Sequence, residues 1–87
     1  MEQISEIKRL VAQDKLTIGT NKVMKSLRAK KMKKIFISNN CPAELESDID
    51  KYAKLSGTEV VKLDIPNEEF GVVCKKPFFV SVAGVQQ

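Results

Sequence analysis

One segment of the sequence, residues 16–25, combines the residue types of an anion-binding site. A short β-prone run, residues 16–18, stops at Gly19, and a helical pattern begins directly after it. Thr20 or Asn21 can cap this helix, because either side chain can accept a hydrogen bond from a free N–H group of the first turn. The segment therefore predicts a strand that leads into a capped helix start.

Two cations follow this helix start at positions that belong to its first two turns, Lys22 and Lys25. A helix start presents unpaired N–H groups and a partial positive charge, and both attract anions. With so many basic residues nearby, we expect the anion to be nucleic-acid phosphate.

Charge is divided unevenly along the chain. Residues 1–40 contain ten Lys or Arg against three acids, whereas residues 41–87 contain five against eight. Such a division in a small domain is typical of a protein with one basic and one acidic face. The alternative is ordinary surface solvation, which also requires charged side chains.

Length and composition restrict the class of protein. The 87 residues predict a single domain over residues 1–87, which would carry the nucleic-acid-binding surface, and 43% hydrophobic with 30% charged residues is typical of a globular chain. The longest uncharged apolar stretch, residues 77–85, is far shorter than a membrane span. The N-terminal residues lack the pattern of a signal peptide, so we expect a cytoplasmic protein without membrane partners.

Residues suited to catalysis or metal binding are scarce. The chain has no histidine, and its two cysteines, Cys41 and Cys74, are not in a Cys-x-x-Cys arrangement. We expect both to be reduced thiols, with a disulfide as the alternative. The acidic cluster 44–50 fits a solvated helix face better than a carboxylate site. No phosphate-binding loop or nucleophile motif occurs, so we predict no enzyme, metal or cofactor.

The elements that must position these residues alternate along the chain. The periodicities predict helices over about 3–13, 20–30, 42–57 and from 66 onward, and strands over 16–18, 35–38, 58–63 and 78–85. Residues 30–34 are expected to form a turn, and Gly57 a left-handed helix end. This order predicts an α/β fold with one sheet covered by helices on both faces.

Three surfaces would converge if the loops at one end of this sheet lie together. They are the helix start at 19–25, the Asn39–Asn40 loop and the loop 75–78. Amide side chains can read base edges, lysines can hold phosphates, and an aromatic ring such as Phe78 can stack on an unpaired base. For Phe78 the alternative is burial in the core, because it begins a predicted strand.

The sequence also resembles the L-thirty-e family of large-subunit ribosomal proteins, within the L-seven-Ae superfamily that binds kink-turn RNA. Five motifs over roughly residues 4–85 carry the resemblance: Ile18-Gly-Thr-Asn21, Lys25-Ser-Leu-Arg28, Ile35-Phe-Ile-Ser-Asn-Asn-Cys-Pro42, Asp48-Ile-Asp-Lys-Tyr-Ala-Lys-Leu-Ser-Gly57 and Glu69-Phe-Gly-Val-Val-Cys-Lys-Lys-Pro77. Each motif is weak alone, but five in order over one domain are specific.

The resemblance implies a three-layer α/β/α sandwich with a mixed four-stranded sheet, docked on an internal-loop kink that contains sheared G·A pairs. It implies that Asn21 and Lys25 contact the G·A edges and the adjacent phosphates. Lys22 stands where the L-seven-Ae branch has glutamate, which favours a backbone or phosphate role there. The full set of expected RNA-binding residues is Gly19, Thr20, Asn21, Lys22, Lys25, Arg28, Asn40, Lys76 and Phe78.

The resemblance implies ribosomal RNA as the partner, with neighbouring ribosomal proteins as further partners and a monomer outside the ribosome. Two alternatives stay open at this point. One is a kink-turn RNA-binding protein outside the ribosome, and the other is a protein-interaction module that has lost RNA binding and uses its acidic face.

Overall fold

A computed structural model describes residues 2–86 of the chain, with side chains from residue 4 onward. Within residues 2–86 the chain forms four helices and four strands in strict alternation. The elements are α1 (Glu2–Ala12), β1 (Leu16–Ile18), α2 (Thr20–Arg28), β2 (Met32–Ile37), α3 (Ala43–Ser56), β3 (Glu59–Lys62), α4 (Asn67–Val73) and β4 (Val82–Gln86). The predicted α-β alternation is confirmed in every element.

The four strands form one mixed sheet in the order β1-β4-β2-β3. β4 runs antiparallel to both β1 and β2, with Ile18 opposite Ala83 and Ile37 opposite Val82. β3 runs parallel to β2. As a result β1, β2 and β3 all terminate at the end of the sheet where β4 begins.

Helices cover both faces of the sheet, which confirms the predicted three layers. Successive strand residues point to opposite faces, so Ile35 and Ile37 pack with α2 and α3, whereas Phe36 packs with α1 and α4. The first core includes Val23, Met24, Leu27, Ile49 and Val82. The second core includes Ile7, Leu63, Phe70, Cys74, Val80 and Ala83.

The boundary between α2 and β2 differs from the prediction. α2 ends at Arg28 rather than near residue 30, and Lys30 has a left-handed φ of 60°. β2 begins at Met32, which is buried, rather than at Ile35. The lysines of the expected turn obscured this strand start. Lys34 is accommodated because its ammonium group donates to Glu6 at 2.7 Å and lies 5.3 Å from the centre of the Phe36 ring.

The last strand is shorter than predicted. β4 begins at Val82, so residues 78–81 belong to a loop. The neighbouring strands explain this, because β2 ends at Ile37, the residue that pairs with Val82. Residues before Val82 therefore have no strand to pair with, despite their high β-propensity.

Two smaller expectations are confirmed. Gly57 ends α3 in the left-handed conformation, with φ 70°, and Cys41 and Cys74 are free thiols. Within residues 2–86, no helix is long and apolar enough to cross a membrane.

Candidate nucleic-acid interface

The three predicted surfaces meet at one end of the sheet, where β1, β2 and β3 terminate. The Gly19 N–H group donates to the Val82 carbonyl at 3.3 Å, and the Ser38 N–H group donates to the Ser81 carbonyl at 2.9 Å. These two bonds tie the residues after β1 and β2 to the first residue of β4 and to the residue before it. The loop 75–78 leads to this point, and Lys76 and Phe78 line the same groove as Lys22 and Lys25. The expected convergence is therefore confirmed, and it follows from the direction in which each strand runs.

The start of α2 is open rather than capped by a side chain. Gly19 is the N-cap residue, with φ 113° and ψ 138°, and its carbonyl accepts the Val23 N–H group at 3.0 Å. The expectation that Thr20 or Asn21 caps the helix was wrong, because the chain enters the helix one residue earlier. No side chain among the described residues accepts the N–H groups of the first turn. These groups are therefore available to an external anion.

A groove of about 530 Å³ lies beside this helix start, between α2, β1 and the loop 74–81. Lys22, Lys25, Lys76 and Phe78 all line it. The structure thus brings four of the predicted residues, from two segments far apart in sequence, around one space. Phe78 is 53% exposed, so the alternative of a core position is wrong.

A second groove lies on the other side of α2, towards α3. Asn21, Lys25 and Arg28 line it together with Asp48. The Arg28 guanidinium lies 5.6 Å from the centre of the Tyr52 ring, a distance at which a cation and a ring attract each other. Lys25 lines both grooves, so Asn21, Lys22, Lys25 and Arg28 form one surface that wraps around the helix, whereas Thr20 lines neither groove.

The lysines of this surface have no acidic partner among the described side chains. Among residues 4–86, Lys22, Lys25 and Lys76 form no ion pair. In contrast, Lys62 lies 2.7 Å from the Glu46 carboxylate, and Lys34 lies equally close to an acid on α1. Cations that are already paired contribute little to attracting a ligand, so the field at the interface comes from the unpaired lysines.

The basic first half of the chain is not a single face. Lys30 and Lys31 follow the C-terminal end of α2, at the far end of the helix from Gly19. Both side chains are exposed. The charge division predicted from the sequence therefore overstates how many lysines belong to the interface.

Asn40 lies at the same end of the sheet, but its side-chain amide is hydrogen-bonded within the protein. Its Oδ1 accepts the Asn67 N–H group at 2.8 Å, and its Nδ2 donates to the Asn67 Oδ1 at 3.1 Å. Sequence reasoning did not find Asn67, which it interpreted only as part of a helix start after Pro66. Only its hydrogen bonds with Asn40, which lies 27 residues earlier in the chain, show its position in the site.

The remaining polar chemistry of the described residues is sparse. No group of three or more His, Cys, Asp or Glu among them could hold a metal ion. Burial raises the pKa of the Cys74 thiol to about 11, and it also raises the pKa of the Cys41 thiol. Neither cysteine therefore resembles an activated nucleophile, which requires a lowered pKa.

Comparison with known proteins identifies the family of the chain. The sequence profile of the Ribosomal protein L7Ae/L30e/S12e/Gadd45 family matches residues 2–87. The chain belongs to this family. Two relatives, each named large ribosomal subunit protein eL30, are identical to it at about a third of the aligned positions. The one from Sulfurisphaera tokodaii is 35% identical over 81 residues, 93% of this chain and 76% of the relative. The one from Candida albicans is 36% identical over 81 residues, with the same two coverages of 93% and 76%.

Two solved structures share the fold of this chain. A Giardia lamblia 15.5kD RNA binding protein superposes with a TM-score of 0.80 at 17% identity, covering 99% of this chain and 72% of that one. A Bacillus halodurans protein of unknown function superposes with a TM-score of 0.85 at 14% identity, covering 97% and 83%. The resemblance inferred from the five motifs and the predicted fold class are confirmed.

Proposed function

We propose that this family member is a structural constituent of the large ribosomal subunit that binds kink-turn ribosomal RNA in the cytoplasm and catalyses no reaction. The observation that carries the proposal is that an open helix start, three lysines without an ion pair among the described residues and the exposed ring of Phe78 meet at one end of the sheet. The names of the eL30 relatives support the ribosomal role.

The interface supplies the two kinds of contact that specific RNA binding requires. The open N–H groups and Lys22, Lys25 and Lys76 suit phosphate oxygens, which fix position without reading sequence. Asn21 is exposed in the first turn of α2, where its amide can donate to and accept from a base edge. Phe78 can stack on an unpaired base, a contact typical of folded RNA recognition.

Titration of the protein onto RNA tests this function. The protein should bind a kink-turn RNA more tightly than the same RNA in which the G·A pairs are replaced by Watson–Crick pairs. Equal affinity for the two RNAs would contradict kink-turn recognition. Lys25→Ala should weaken binding more than Lys31→Ala, because Lys31 is an exposed lysine beyond the other end of α2.

A kink-turn RNA-binding role outside the ribosome is the second candidate, because the same interface would serve it. Sedimentation of washed large subunits separates the two candidates. A ribosomal protein stays with the subunits at about 0.5 M salt only if it is held by many contacts, since salt weakens phosphate binding. Loss of the protein from subunits, with kink-turn binding intact, would favour the second candidate.

A further inference from the structure

Asn67, the first residue of α4, joins two loops of the interface. On one side it exchanges two hydrogen bonds with Asn40, which lies in the loop after β2. On the other side its carbonyl accepts the Val80 N–H group at 3.1 Å, and its Nδ2 lies 3.5 Å from the Ser81 Oγ. Asn67 therefore connects the loop after β2 to the loop before β4 by hydrogen bonds.

The direction of these bonds is set by chemistry. A backbone N–H group can only donate, so the atom of Asn40 that faces the Asn67 N–H must be Oδ1. The Asn40 Nδ2 then faces the Asn67 Oδ1, which leaves the Asn67 Nδ2 as the donor to Ser81. Both polar ends of each amide therefore have a protein partner.

At its start, the loop held by Asn67 is also bonded to the end of α4, because the Lys75 and Lys76 N–H groups donate to the Val72 and Gly71 carbonyls at 3.0 Å. Residues 75–79 are all exposed, and Lys75 adopts a left-handed φ of 58°. Val80 is the buried anchor of the segment. The loop also lies directly on α4, because a Cβ atom added at Gly71 would overlap the Phe78 carbonyl oxygen. The ring of Phe78 is therefore positioned from its backbone and not by packing in the core.

We propose that Asn67, paired with Asn40, is a positioning residue that holds the loop 75–80 against α4 and so presents Phe78 to the RNA. This inference rests on the proposed function, and it changes the role of Asn40. Asn40 acts through Asn67 on the aromatic loop, where the resemblance implied a direct RNA contact.

A double-mutant cycle tests this role. Kink-turn RNA affinity is measured for the wild type, Asn67→Ala, Phe78→Ala and the double variant, with urea unfolding of each protein. Asn67→Ala should weaken binding about fivefold, the usual effect of losing hydrogen bonds of this kind. In the Phe78→Ala background the same change should have a much smaller effect, because the loop then presents only Lys76 and no ring. Ser47→Ala, an exposed polar truncation on α3, should leave affinity unchanged.

A second variant reaches the loop without touching Asn67. Gly71→Ala should push the loop away from α4 and reduce affinity, and this reduction should likewise be much smaller in the Phe78→Ala background. Amide hydrogen exchange gives a readout that does not depend on RNA. Asn67→Ala keeps the backbone carbonyl that accepts the Val80 N–H group, but it loses the side-chain bonds to Asn40 and Ser81 that fix this carbonyl in place. The Val80 amide should therefore exchange faster, while the Ile35 amide in the middle of β2 should keep its protection.

The outcomes separate the two proposals. An equal loss of affinity from Asn67→Ala in both backgrounds, or no loss in either, would overturn the positioning role. Wild-type protein that binds kink-turn RNA no better than its G·A-replaced control would overturn the proposed function instead. In that case Val80 exchange decides alone, and unchanged exchange in Asn67→Ala would show that the pair does not hold the loop.

Discussion

Replacement of Asn21 separates RNA recognition from fold stability. Asn21 is exposed, and no side chain caps the first turn of α2 within the described residues. Asn21→Ala therefore removes no hydrogen bond that stabilises the folded chain. An exposed substitution of this kind changes the free energy of unfolding by about 0.5 kcal/mol or less. Alanine also has the higher helix propensity, which acts in the stabilising direction.

The expected loss of RNA affinity is larger. A side-chain amide that exchanges hydrogen bonds with a base edge contributes about 1–3 kcal/mol of discrimination, equivalent to about 5-fold to 150-fold in affinity. We expect Asn21→Ala to weaken kink-turn binding by at least about tenfold, while the midpoint of urea unfolding hardly moves. Fluorescence anisotropy with a labelled kink-turn RNA and urea denaturation of the free protein measure the two effects.

Lys31→Ala is the matched control for this experiment. Lys31 is exposed and follows α2 at its other end, so its loss should weaken binding less, and by the same factor for every RNA. The reasoning about the start of α2 would be refuted if Asn21→Ala unfolded the protein more easily but left RNA affinity unchanged.

Four further predictions concern charge, backbone and ionisation. Because the lysines of the interface are unpaired, log affinity should fall with log salt with a slope of roughly −3 to −4, assuming about four or five phosphate contacts; a slope near zero would mean that they are ordinary surface. Gly19→Ala should destabilise the fold by about 1–3 kcal/mol in urea titrations, since φ 113° strains any residue with a Cβ atom even though the space around it is open. The raised pKa of Cys74 favours the folded state below the ordinary thiol pKa of 9.0, so this part of the stability should be lost between pH 9.0 and about 11, and Cys74→Ala should remove that pH dependence from the unfolding midpoint. The Glu6 hydrogen bond likewise raises the pKa of Lys34 above 10.5, so its stabilisation is complete below pH 10.5 and is lost at higher pH, a loss that Glu6→Gln should abolish.

Much of the fold could be predicted because its signals are local. Val23 and Leu27 lie four residues apart and mark the buried face of α2. Gly57 marks the end of α3, because a left-handed residue without a Cβ atom is favoured there. The errors occurred where tertiary pairing overrides local propensity: Met32 extends β2 into a run of lysines, and Phe78 has strand propensity but no partner strand.

The candidate site divides in the same way. The residue types of the α2 start were visible in the sequence, but its missing cap depended on the conformation of Gly19. Whether a lysine belongs to the interface also depended on the fold. Lys34 and Lys62 are paired with acids from other elements, and no pattern near either residue indicates it.

The sequence by itself determined the order of helices and strands, the family of the chain and the types of residue near the start of α2. These follow from short-range periodicity and from motifs that neighbouring residues form together. The tertiary structure decided which loops meet, because that depends on the direction of strands paired across the sheet. It also joined Asn40 to Asn67, 27 residues apart, through geometry that no local pattern contains. Phe78 is likewise exposed because β2 ends at Ile37 and does not extend far enough to pair with the residues before Val82.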